Sequence, residues 1–378
     1  MKRIAIVGST GSIGTSSLKV ACHLKHAIQV VAIAAKSNID LLEQQAREFH
    51  PEIIGVYDKE KAQELQKRLP NIPVVGGMEG IEAVAGYDNC EFVISAMTGT
   101  LGVIPTIRAI QSGKNIGLAN KEALVSGGAL IMSLAKEKNV TILPIDSEHS
   151  ALFQCLQGED PASIERLILT SSGGPFRAYS SEQLQQVTIE NALNHPTWKM
   201  GPKVTIDSST LMNKGLEMIE AHWLFNMPYE KIDVIIHPQS IIHSMIEYVD
   251  NSIIAQMGDP DMITPIQYAL TYPQRMPGLL KKFDFIKNNT LQFFTPDLKK
   301  FVCLRLAYDA LKAGGSLPCY MNASNEVLVQ RFLNKEISWL QIPQKLEQLM
   351  LKQSIHPIAS LEDILAVDAQ AREEAAHF

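Results

Sequence analysis

The sequence lacks long apolar runs, paired cysteines and an excess of basic charge, and each absence excludes a class of protein. No run of about 18 apolar residues is present that could span a bilayer. The five cysteines are scattered, and no CxxC pair occurs, so reduced thiols are favoured over a disulfide framework. The net charge of −6 provides no general attraction for nucleic acid or an anionic membrane. Strand-like sequence from Arg3 leaves no room for a targeting peptide, so we expect a cytoplasmic protein.

The remaining sequence, 378 residues of which 46% are hydrophobic, predicts two or three globular domains. Residues 1–145 alternate β-branched runs with helical patterns, which predicts a doubly wound parallel sheet. Residues 146–271 predict an α+β domain with the strands "RLILTSS", "KVTID" and "DVIIH" and a hairpin that turns around Asp250 and Asn251. A linker is predicted over 272–297, and a bundle of three or four helices over 298–378. The predicted fold class is therefore α/β, with a Rossmann-type sheet domain, an α+β domain and a C-terminal helical bundle.

The stretch "IAIVGSTGSIGTSS" places Gly8, Gly11 and Gly14 between the first strand and the first helix. Glycines there let the backbone turn tightly and approach a pyrophosphate at the helix N-terminus. The GxxGxxG spacing differs from the commoner GxGxxG, and a glycine-rich turn without a ligand is the alternative. In this strand–turn–helix context the stretch predicts a dinucleotide site.

The end of the second strand indicates which dinucleotide is bound. NAD sites usually carry an acidic residue there, whereas this strand ends in Lys36, Ser37 and Asn38. A cation beside two neutral polar groups suits a 2′-phosphate, so the sequence predicts NADP(H).

The stretch "LPIDSEHS" places Asp146 and Glu148 after the strand "VTIL". In extended backbone, residues i and i+2 project to the same side, and ligands bind at the carboxyl ends of such strands. No Lys or Arg lies between Asn139 and Glu165, so a bound cation is one way to offset the charge. Carboxylate oxygens favour Mg²⁺ or Mn²⁺. A simple helix cap before "SALFQCL" is the alternative, and it is favoured when the stretch is taken alone.

A second polar group lies in "TIDSSTLMNKGLEMIEAHWLF", where a Ser-rich strand end is predicted to lead into an amphipathic helix. Asn213 and Glu217 share one helix face, with Lys214 beside them. Ser208, Asn213 and Lys214 could hold an anion, and Glu217 could complete a three-carboxylate metal site. A solvated helix face with an internal Lys–Glu pair is the alternative.

Two further stretches fit a phosphate site with a lid. "LTSSGGPF" offers the hydroxyl of Ser172 and neighbouring backbone amides as an anion nest. "NHPTWKMGPKV", residues 194–204, is predicted to be a loop in which His195 and Trp198 close over a ligand. A turn with a packed tryptophan is the plain alternative, and His243 could be either a buried or a functional histidine.

Together these motifs resemble the 1-deoxy-D-xylulose 5-phosphate reductoisomerase family along nearly the whole chain. The matching stretches, in chain order, are "GSTGSIG", "LANKEALVSGG", "PIDSEHSA", "SSGGPF", "HPTWKMG", "DSSTLMNKGLE", "IHPQSIIHSM" and "NASNE". The resemblance implies an NADPH-binding domain over 1–145, a catalytic domain over 146–271 with its lid at 194–204, and the C-terminal bundle.

The resemblance also implies a role for individual residues. Metal ligands fall on Asp146, Glu148 and Glu217, and catalytic roles on Lys121, Glu148 and His195. Substrate contacts fall on Lys121, Ser147, Glu148, Ser172, His195, Ser208, Asn213, Lys214 and Glu217. Cofactor contacts fall on Thr10, Gly11, Ser12, Ile13, Asn120, Glu122 and Gly201, while "AAKSN" differs from the family's "AGKN", so Asn38 matches better than Lys36 and Ser37.

The implied reaction converts a phosphorylated ketose, 1-deoxy-D-xylulose 5-phosphate, to 2-C-methyl-D-erythritol 4-phosphate in non-mevalonate isoprenoid biosynthesis. Mg²⁺ or Mn²⁺ would act as Lewis acid, NADPH would supply hydride, and the rearrangement could follow a retro-aldol or a ketol route. A homodimer is implied as well, with no nucleic-acid or membrane partner. One alternative is another NADP-dependent aldehyde or semialdehyde reductase, or a semialdehyde dehydrogenase, which would need a reactive thiol where Cys155 is predicted to be a core residue. The other is a non-catalytic NADP-binding regulator.

Overall fold

The structure, a computed structural model, describes all 378 residues and divides into two compact units. The first unit comprises Met1–Ala123, Ile131–Ser150 and Asp261–Lys281, and the second comprises Leu124–Leu130, Ala151–Pro260 and Lys282–Phe378. None of the helices combines the length and the hydropathy needed to cross a bilayer.

Eleven strands form two sheets. In chain order they are β1 Lys2–Val7, β2 Ile28–Ala35, β3 Ile53–Val56, β4 Val74–Gly76, β5 Phe92–Ser95, β6 Asn115–Leu118, β7 Ile142–Pro144, β8 Ile164–Ser171, β9 Ile232–Ile236, β10 Ile242–Tyr248 and β11 Ile253–Met257. The helices are α1 Ser12–His23, α2 Ile39–Phe49, α3 Lys59–Arg68, α4 Gly77–Ala85, α5 Val103–Gln111, α6 Lys121–Glu137, α7 Ser147–Cys155, α8 Ser181–Leu184, α9 Ile189–Leu193, α10 Pro202–Thr210, α11 Met212–Phe225, α12 Ile263–Thr271, α13 Val302–Ala313, α14 Leu317–Leu333, α15 Gln341–Lys352 and α16 Leu361–His377.

The first unit contains a seven-stranded parallel sheet with the order β4-β3-β2-β1-β5-β6-β7. Its central strands are apolar on both faces, and Ile4, Ile6, Ile33 and Ile94 are fully buried. Strands buried on both faces require helices on both sides, which the alternation of strands and helices along the chain supplies. This confirms the predicted Rossmann-type domain, and it places the ends of β1, β2, β6 and β7 along one edge of the sheet.

The second unit contains a four-stranded mixed sheet with the order β11-β10-β8-β9 and the helices α13–α16. The predicted hairpin is confirmed, because β10 and β11 pair antiparallel around a turn in which Asn251 has a φ of 65°. The four C-terminal helices are also confirmed, and α14 lies among them with Cys319, Tyr320, Met321 and Asn325 fully buried.

The predicted strand "KVTID" is wrong, because these residues lie within helix α10. Pro202 occupies the first turn, where its fixed φ and missing N–H favour a helix start. The β-branched run Val204–Ile206 suggested a strand, but burial of Ile206 in the second unit outweighs that weak local preference.

The compact units follow a different division from the predicted functional segments. Helix α12, predicted within the segment 146–271, belongs to the first unit. Residues 272–297 contain no helix or strand except the single bridge that joins Phe294 to Ile236. The functional division of the chain therefore stays a prediction.

Candidate active site

The glycine turn joins β1 to α1 at the carboxyl edge of the parallel sheet. Gly11 occupies the N-cap position of α1, and both Gly11 and Ser12 are exposed. A Cβ on Gly14 would lie 2.3 Å from the carbonyl oxygen of Gly8, so only glycine permits this close packing. A Cβ on Gly11 would meet only that same oxygen at 3.4 Å, which leaves the helix N-terminus open to an approaching anion.

A buried glutamine that we did not predict supports this turn. The Ser9 hydroxyl donates to Oε1 of Gln45 over 2.7 Å, and Nε2 of Gln45 donates back to the carbonyl oxygen of Ser9 over 3.0 Å. Both side chains are buried. The spacing of Ile39, Leu42 and Ala46 was the signal for helix α2 that could have placed Gln45 toward the core.

The predicted 2′-phosphate residues lie directly after β2. Lys36, Ser37 and Asn38 are exposed, and Oδ1 of Asn38 caps α2 by accepting from the amide of Leu41. The nearest carboxylate along the chain, Asp40, forms an ion pair of 2.7 Å with Arg68. The end of β2 therefore presents the ammonium group of Lys36 and the polar side chains of Ser37 and Asn38 to solvent. The carboxylate of Asp40 is engaged in its ion pair with Arg68.

Asn120 and Glu122 lie at the start of α6, after β6. Nδ2 of Asn120 donates to Oε2 of Glu122 over 2.9 Å and to the carbonyl oxygen of Gly99 over 3.1 Å. Its Oδ1 atom is buried and accepts no hydrogen bond. This buried acceptor lies at the carboxyl edge of the parallel sheet, where the glycine turn also lies. A buried acceptor without a hydrogen bond fits a ligand that supplies an N–H or O–H donor.

Lys121 and the "DSE" stretch meet where β6 and β7 end. Nζ of Lys121 lies 2.7 Å from Oδ2 of Asp146, and both side chains are largely buried. Oδ1 of Asp146 accepts from the amide of Ser147 over 3.1 Å, and the Ser147 hydroxyl donates to Oε2 of Glu148 over 2.6 Å. The structure thus brings together four predicted residues of the first unit: Lys121, Asp146, Ser147 and Glu148.

The extended backbone predicted for Asp146 to Glu148 is wrong. Glu148 lies in the first turn of α7, and the carbonyl oxygen of Asp146 accepts the first helical bond, from the amide of Ser150. A carboxylate in the first turn interacts favourably with the helix dipole. The stretch therefore does begin a helix, as the alternative interpretation held, while its two carboxylates remain partly accessible.

In the second unit, His195 contacts Ser172, which follows β8. Nδ1 of His195 accepts from the amides of Thr197 and Trp198 over 3.1 and 2.9 Å, so this nitrogen carries no proton. Burial lowers the pKa of His195, which also favours the neutral ring with its proton on Nε2. Nε2 then donates to the Ser172 hydroxyl over 3.0 Å.

The Ser172 hydroxyl is left with one hydrogen to donate. Its oxygen already accepts from Nε2 of His195 and from the amide of Gly174 over 3.2 Å. A hydroxyl has two acceptor positions and one donor, so its own hydrogen is the group that can serve a ligand. This arrangement fits an anionic acceptor such as a phosphate oxygen.

The loop around His195 is partly packed. The Trp198 ring is half-buried, with its centroid 6.3 Å from the ring of His243 in an edge-on arrangement. Burial lowers the pKa of His243 to about 4, so this ring is neutral at physiological pH. Gly201 ends the loop as the N-cap of α10, so the predicted loop 194–204 is three residues too long.

Two consecutive helices of the second unit carry the predicted residues Ser208, Asn213, Lys214 and Glu217. Ser208 is in the last turn of α10, where its hydroxyl donates to the carbonyl oxygen of Val204. Asn213, on α11, donates to Oε1 of Glu217, and Lys214 donates to Oε2. The Lys214 and Glu217 side chains are only 3% and 1% exposed, so the alternative of a solvated helix face is wrong.

Cys155 is buried, as the sequence predicted. Desolvation raises the pKa of its thiol to about 11, so the thiolate is scarcely populated at neutral pH. This disfavours the semialdehyde dehydrogenase alternative, which requires a nucleophilic cysteine.

Models of a single family match three stretches that together span most of the chain. The 1-deoxy-D-xylulose 5-phosphate reductoisomerase model matches residues 4–128. The model of the C-terminal domain of the same enzyme matches residues 142–225, and the DXP reductoisomerase C-terminal domain model matches residues 257–374.

Relatives and solved structures agree along the full length. A 1-deoxy-D-xylulose 5-phosphate reductoisomerase from Protochlamydia amoebophila (strain UWE25) is 66% identical over 376 residues, covering 100% of this chain and 98% of the relative. The same enzyme from Zymomonas mobilis, solved in complex with NADPH, has a TM-score of 0.94 at 39% identity, covering 100% of this chain and 98% of that one. A DOX-P reductoisomerase crystallised with NADPH, fosmidomycin and magnesium has a TM-score of 0.96 at 38% identity, with the same coverage. By sequence and by fold, the chain belongs to the 1-deoxy-D-xylulose 5-phosphate reductoisomerase family.

Proposed function

We propose that the chain catalyses the NADPH- and divalent-metal-dependent rearrangement and reduction of 1-deoxy-D-xylulose 5-phosphate to 2-C-methyl-D-erythritol 4-phosphate. The observation that carries this proposal is the group Lys121, Asp146, Ser147 and Glu148 at the carboxyl ends of β6 and β7, in a chain that is 66% identical to a member of this family. A binding protein without chemistry has no need to hold an ammonium group against an acidic pair at this edge.

NADPH binds at the carboxyl edge of the parallel sheet in this proposal. The open N-terminus of α1 receives the pyrophosphate, and the contacts come from Thr10, Gly11, Ser12, Ile13, Asn120, Glu122 and Gly201. The exposed Lys36, Ser37 and Asn38 face the 2′-phosphate. Support comes from the orphaned Oδ1 of Asn120, from the ion pair that occupies Asp40, and from the relative solved with NADPH.

Asp146, Glu148 and Glu217 bind Mg²⁺ or Mn²⁺ in this proposal. The donor set consists only of carboxylate oxygens, the ligand chemistry that hard divalent cations prefer. When bound, the ion polarises the ketone and hydroxyl oxygens of the substrate and orients them. A structural neighbour crystallised with magnesium supports the choice of ion.

The other roles, which are phosphate binding, charge stabilisation, proton transfer and exclusion of water, belong to side chains of the protein. Ser172, Ser208, Asn213 and Lys214 hold the phosphate, whose binding energy fixes the reacting end of the substrate. Lys121 stabilises negative charge that develops on a substrate oxygen, Ser147 binds the substrate, and Glu148 moves a proton. His195 orients the Ser172 hydroxyl through Nε2, and Trp198 helps to exclude water.

One assay separates this proposal from its alternatives. The protein is mixed with NADPH, Mg²⁺ or Mn²⁺ and 1-deoxy-D-xylulose 5-phosphate, and loss of nicotinamide absorbance is followed with and without chelator. Metal-dependent oxidation with formation of 2-C-methyl-D-erythritol 4-phosphate is expected. Oxidation of NADPH in the presence of simple aldehydes, but not of 1-deoxy-D-xylulose 5-phosphate, would support another reductase. Binding of NADPH without any turnover would support a regulator.

We infer in addition that the protein is a cytoplasmic homodimer. Strand β11 is the edge of the mixed sheet, and Ile253, Ile254 and Met257 on it are 54%, 40% and 38% exposed. An exposed apolar edge strand invites pairing with another chain, and a second copy provides a matching edge. The five free cysteines, four of them buried, are typical of a reducing compartment. Sedimentation of the wild type as a dimer and of Ile254→Lys as a monomer tests the interface.

A further inference from the structure

The motif "NASNE" has no role in the site described so far, yet its second asparagine reaches a helix that carries a site residue. Asn325, on α14, is fully buried, and its Nδ2 donates to Oδ1 of Asp207 on α10 over 2.8 Å. The other carboxylate oxygen of Asp207 lies 2.8 Å from Nζ of Lys203. Asp207 is 1% exposed, so its negative charge depends on these partners in place of water.

A second buried contact joins α10 to the C-terminal helices. Nε1 of Trp339 donates to the hydroxyl of Ser209 over 2.8 Å, and both side chains are buried. The Trp339 ring also packs edge-on against Phe176, with centroids 5.3 Å apart. The residues immediately before and after Ser208 are therefore both hydrogen-bonded to groups of the C-terminal bundle.

The backbone of Ser208 itself is in close contact with the turn that contains Ser172. Gly174, with a φ of 66°, approaches so closely that a Cβ there would lie 2.4 Å from the carbonyl oxygen of Ser208. A shift of α10 would therefore change the spacing between Ser208 and the Ser172 turn.

The joint between α10 and α11 also requires external support. Leu211 adopts a left-handed conformation with a φ of 61°, which is unfavourable for a side chain of this size. Such backbone persists where the surrounding structure fixes both sides of it. On the α10 side this support comes from Asn325 and Trp339, and on the α11 side Gly215 packs against Ala307 of α13.

We propose that Asn325 and Trp339 are positioning residues for a phosphate subsite formed by Ser172, Ser208, Asn213 and Lys214. The C-terminal bundle holds α10 in place through the side chains on either side of Ser208, so that the hydroxyls of Ser208 and Ser172 meet one phosphate group. This inference rests on the proposed function only in taking these four residues as the phosphate contacts.

The test uses two variants that remove the bonds to α10 and one that does not. Asn325→Leu removes the donor to Asp207 and keeps a branched side chain, and Trp339→Phe removes the N–H that Ser209 accepts and keeps an aromatic ring at this position. Cys319→Ala is the matched control, because Cys319 is also buried on α14 but its thiol contacts the carbonyl oxygen of Ile364 on α16. Binding of inorganic phosphate and of NADPH to each full-length protein is measured by titration calorimetry, with melting temperature as a check on folding.

Asn325→Leu is expected to weaken phosphate binding about 10-fold and Trp339→Phe about 3-fold, with NADPH affinity within about 2-fold of wild type. Cys319→Ala should lower the melting temperature without changing phosphate affinity. If Asn325→Leu folds poorly, the phosphate affinity of Trp339→Phe alone tests the inference. Three results would each overturn the inference. They are unchanged phosphate affinity in folded Asn325→Leu and Trp339→Phe, an equal loss of affinity in the Cys319→Ala control, and no phosphate binding by the wild type. Because the titration needs no turnover, a wild type inactive on 1-deoxy-D-xylulose 5-phosphate would refute the proposed function without refuting the positioning role of Asn325 and Trp339.

Discussion

Nζ of Lys121 lies 2.7 Å from Oδ2 of Asp146, although the two residues come from different βα turns of the parallel sheet. The sequence around Asp146 contains no nearby basic residue, and the structure shows that the counter-charge comes from the start of α6. The side chains are 11% and 17% exposed, so water screens their attraction only in part. The carboxylate that we propose as a metal ligand is thus also paired with a cation of the protein.

Lys121→Gln is expected to lower turnover about 100-fold, because the positive charge that faces the developing oxyanion is lost. The same change should tighten binding of Mn²⁺ in the absence of substrate, because a cation that competes for Asp146 has been removed. Free Mn²⁺ measured by electron paramagnetic resonance checks this. Lys114→Gln is the control, since Lys114 is also buried but donates to the carbonyl oxygen of Asp88. Weaker Mn²⁺ binding by Lys121→Gln would show that the lysine supports the acidic pair as a metal site.

Glu217→Gln is expected to abolish metal-dependent turnover and to lower the free energy of unfolding by about 3 kcal/mol. The destabilisation arises because Lys214, 3% exposed, loses the charge of its buried partner. The double variant Lys214→Met/Glu217→Gln should regain most of the stability while remaining inactive. Urea unfolding and the NADPH oxidation assay separate the two effects. An active double variant would contradict the metal assignment, and a double variant as unstable as the single one would contradict the pairing argument.

Substrate affinity is expected to be constant above about pH 6.5 and to fall below it, because the loop around His195 requires a neutral ring. Burial holds the pKa of His195 below its usual value of 6.5 in the ordered loop. The ordered loop therefore binds fewer protons than the open or unfolded loop, and it loses stability as the pH falls from the usual value through the lowered one. The measurement is KM for the substrate as a function of pH.

His195→Asn serves as the control for this pH dependence. An asparagine Oδ1 can still accept from the amides of Thr197 and Trp198, but it does not titrate. The variant should bind substrate more weakly at every pH and lose the fall on the acid side. An unchanged acid-side fall in this variant would assign the ionisation to another group, though not to His243, whose pKa of about 4 lies too low.

Lys36→Asp is expected to reduce the preference for NADPH over NADH by about 10- to 100-fold, because a carboxylate repels a 2′-phosphate and binds a ribose hydroxyl. Lys36 is exposed directly after β2, while Asp40 is engaged by Arg68. Lys25→Asp changes the charge equally at the opposite end of β2, and it should leave the preference unaltered. The measurement is the ratio of kcat/KM with NADPH to kcat/KM with NADH. An unchanged ratio in Lys36→Asp would show that Lys36 does not contact the cofactor.

The sequence was sufficient where a pattern repeats. Apolar strands alternating with helices predicted the parallel sheet, whereas the acidic stretch at the end of β7, taken alone, favoured a helix cap, and Lys121 was named only through the family resemblance. The helix α10 was missed because Val204, Thr205 and Ile206 favour a strand locally, whereas the burial that decides their conformation comes from distant parts of the chain.

Long-range pairing could not be predicted for the same reason. Nothing near Asp207 in the sequence indicates that Asn325 donates to it, because 118 positions separate the two residues. Ser9 and Gln45 pose a similar difficulty across 36 positions. In both cases a buried polar group finds its partner only once the helices have packed, so one sequence reveals the residue types but not the pairs.

The close packing of Gly215 on α13 gives a final test of how the C-terminal bundle supports the site. A Cβ on Gly215 would lie 2.5 Å from Cβ of Ala307, so Gly215→Ala should cost about 1–3 kcal/mol through overpacking, despite the better helix propensity of alanine. The displaced α11 carries Asn213 and Lys214, so KM for the substrate should rise while NADPH affinity stays constant. The compensating double variant Gly215→Ala/Ala307→Gly moves the methyl group to the opposite helix and removes the clash, and it should restore both stability and KM. A double variant that remains as impaired as Gly215→Ala would show that the methyl group disturbs α11 by another route than its contact with α13.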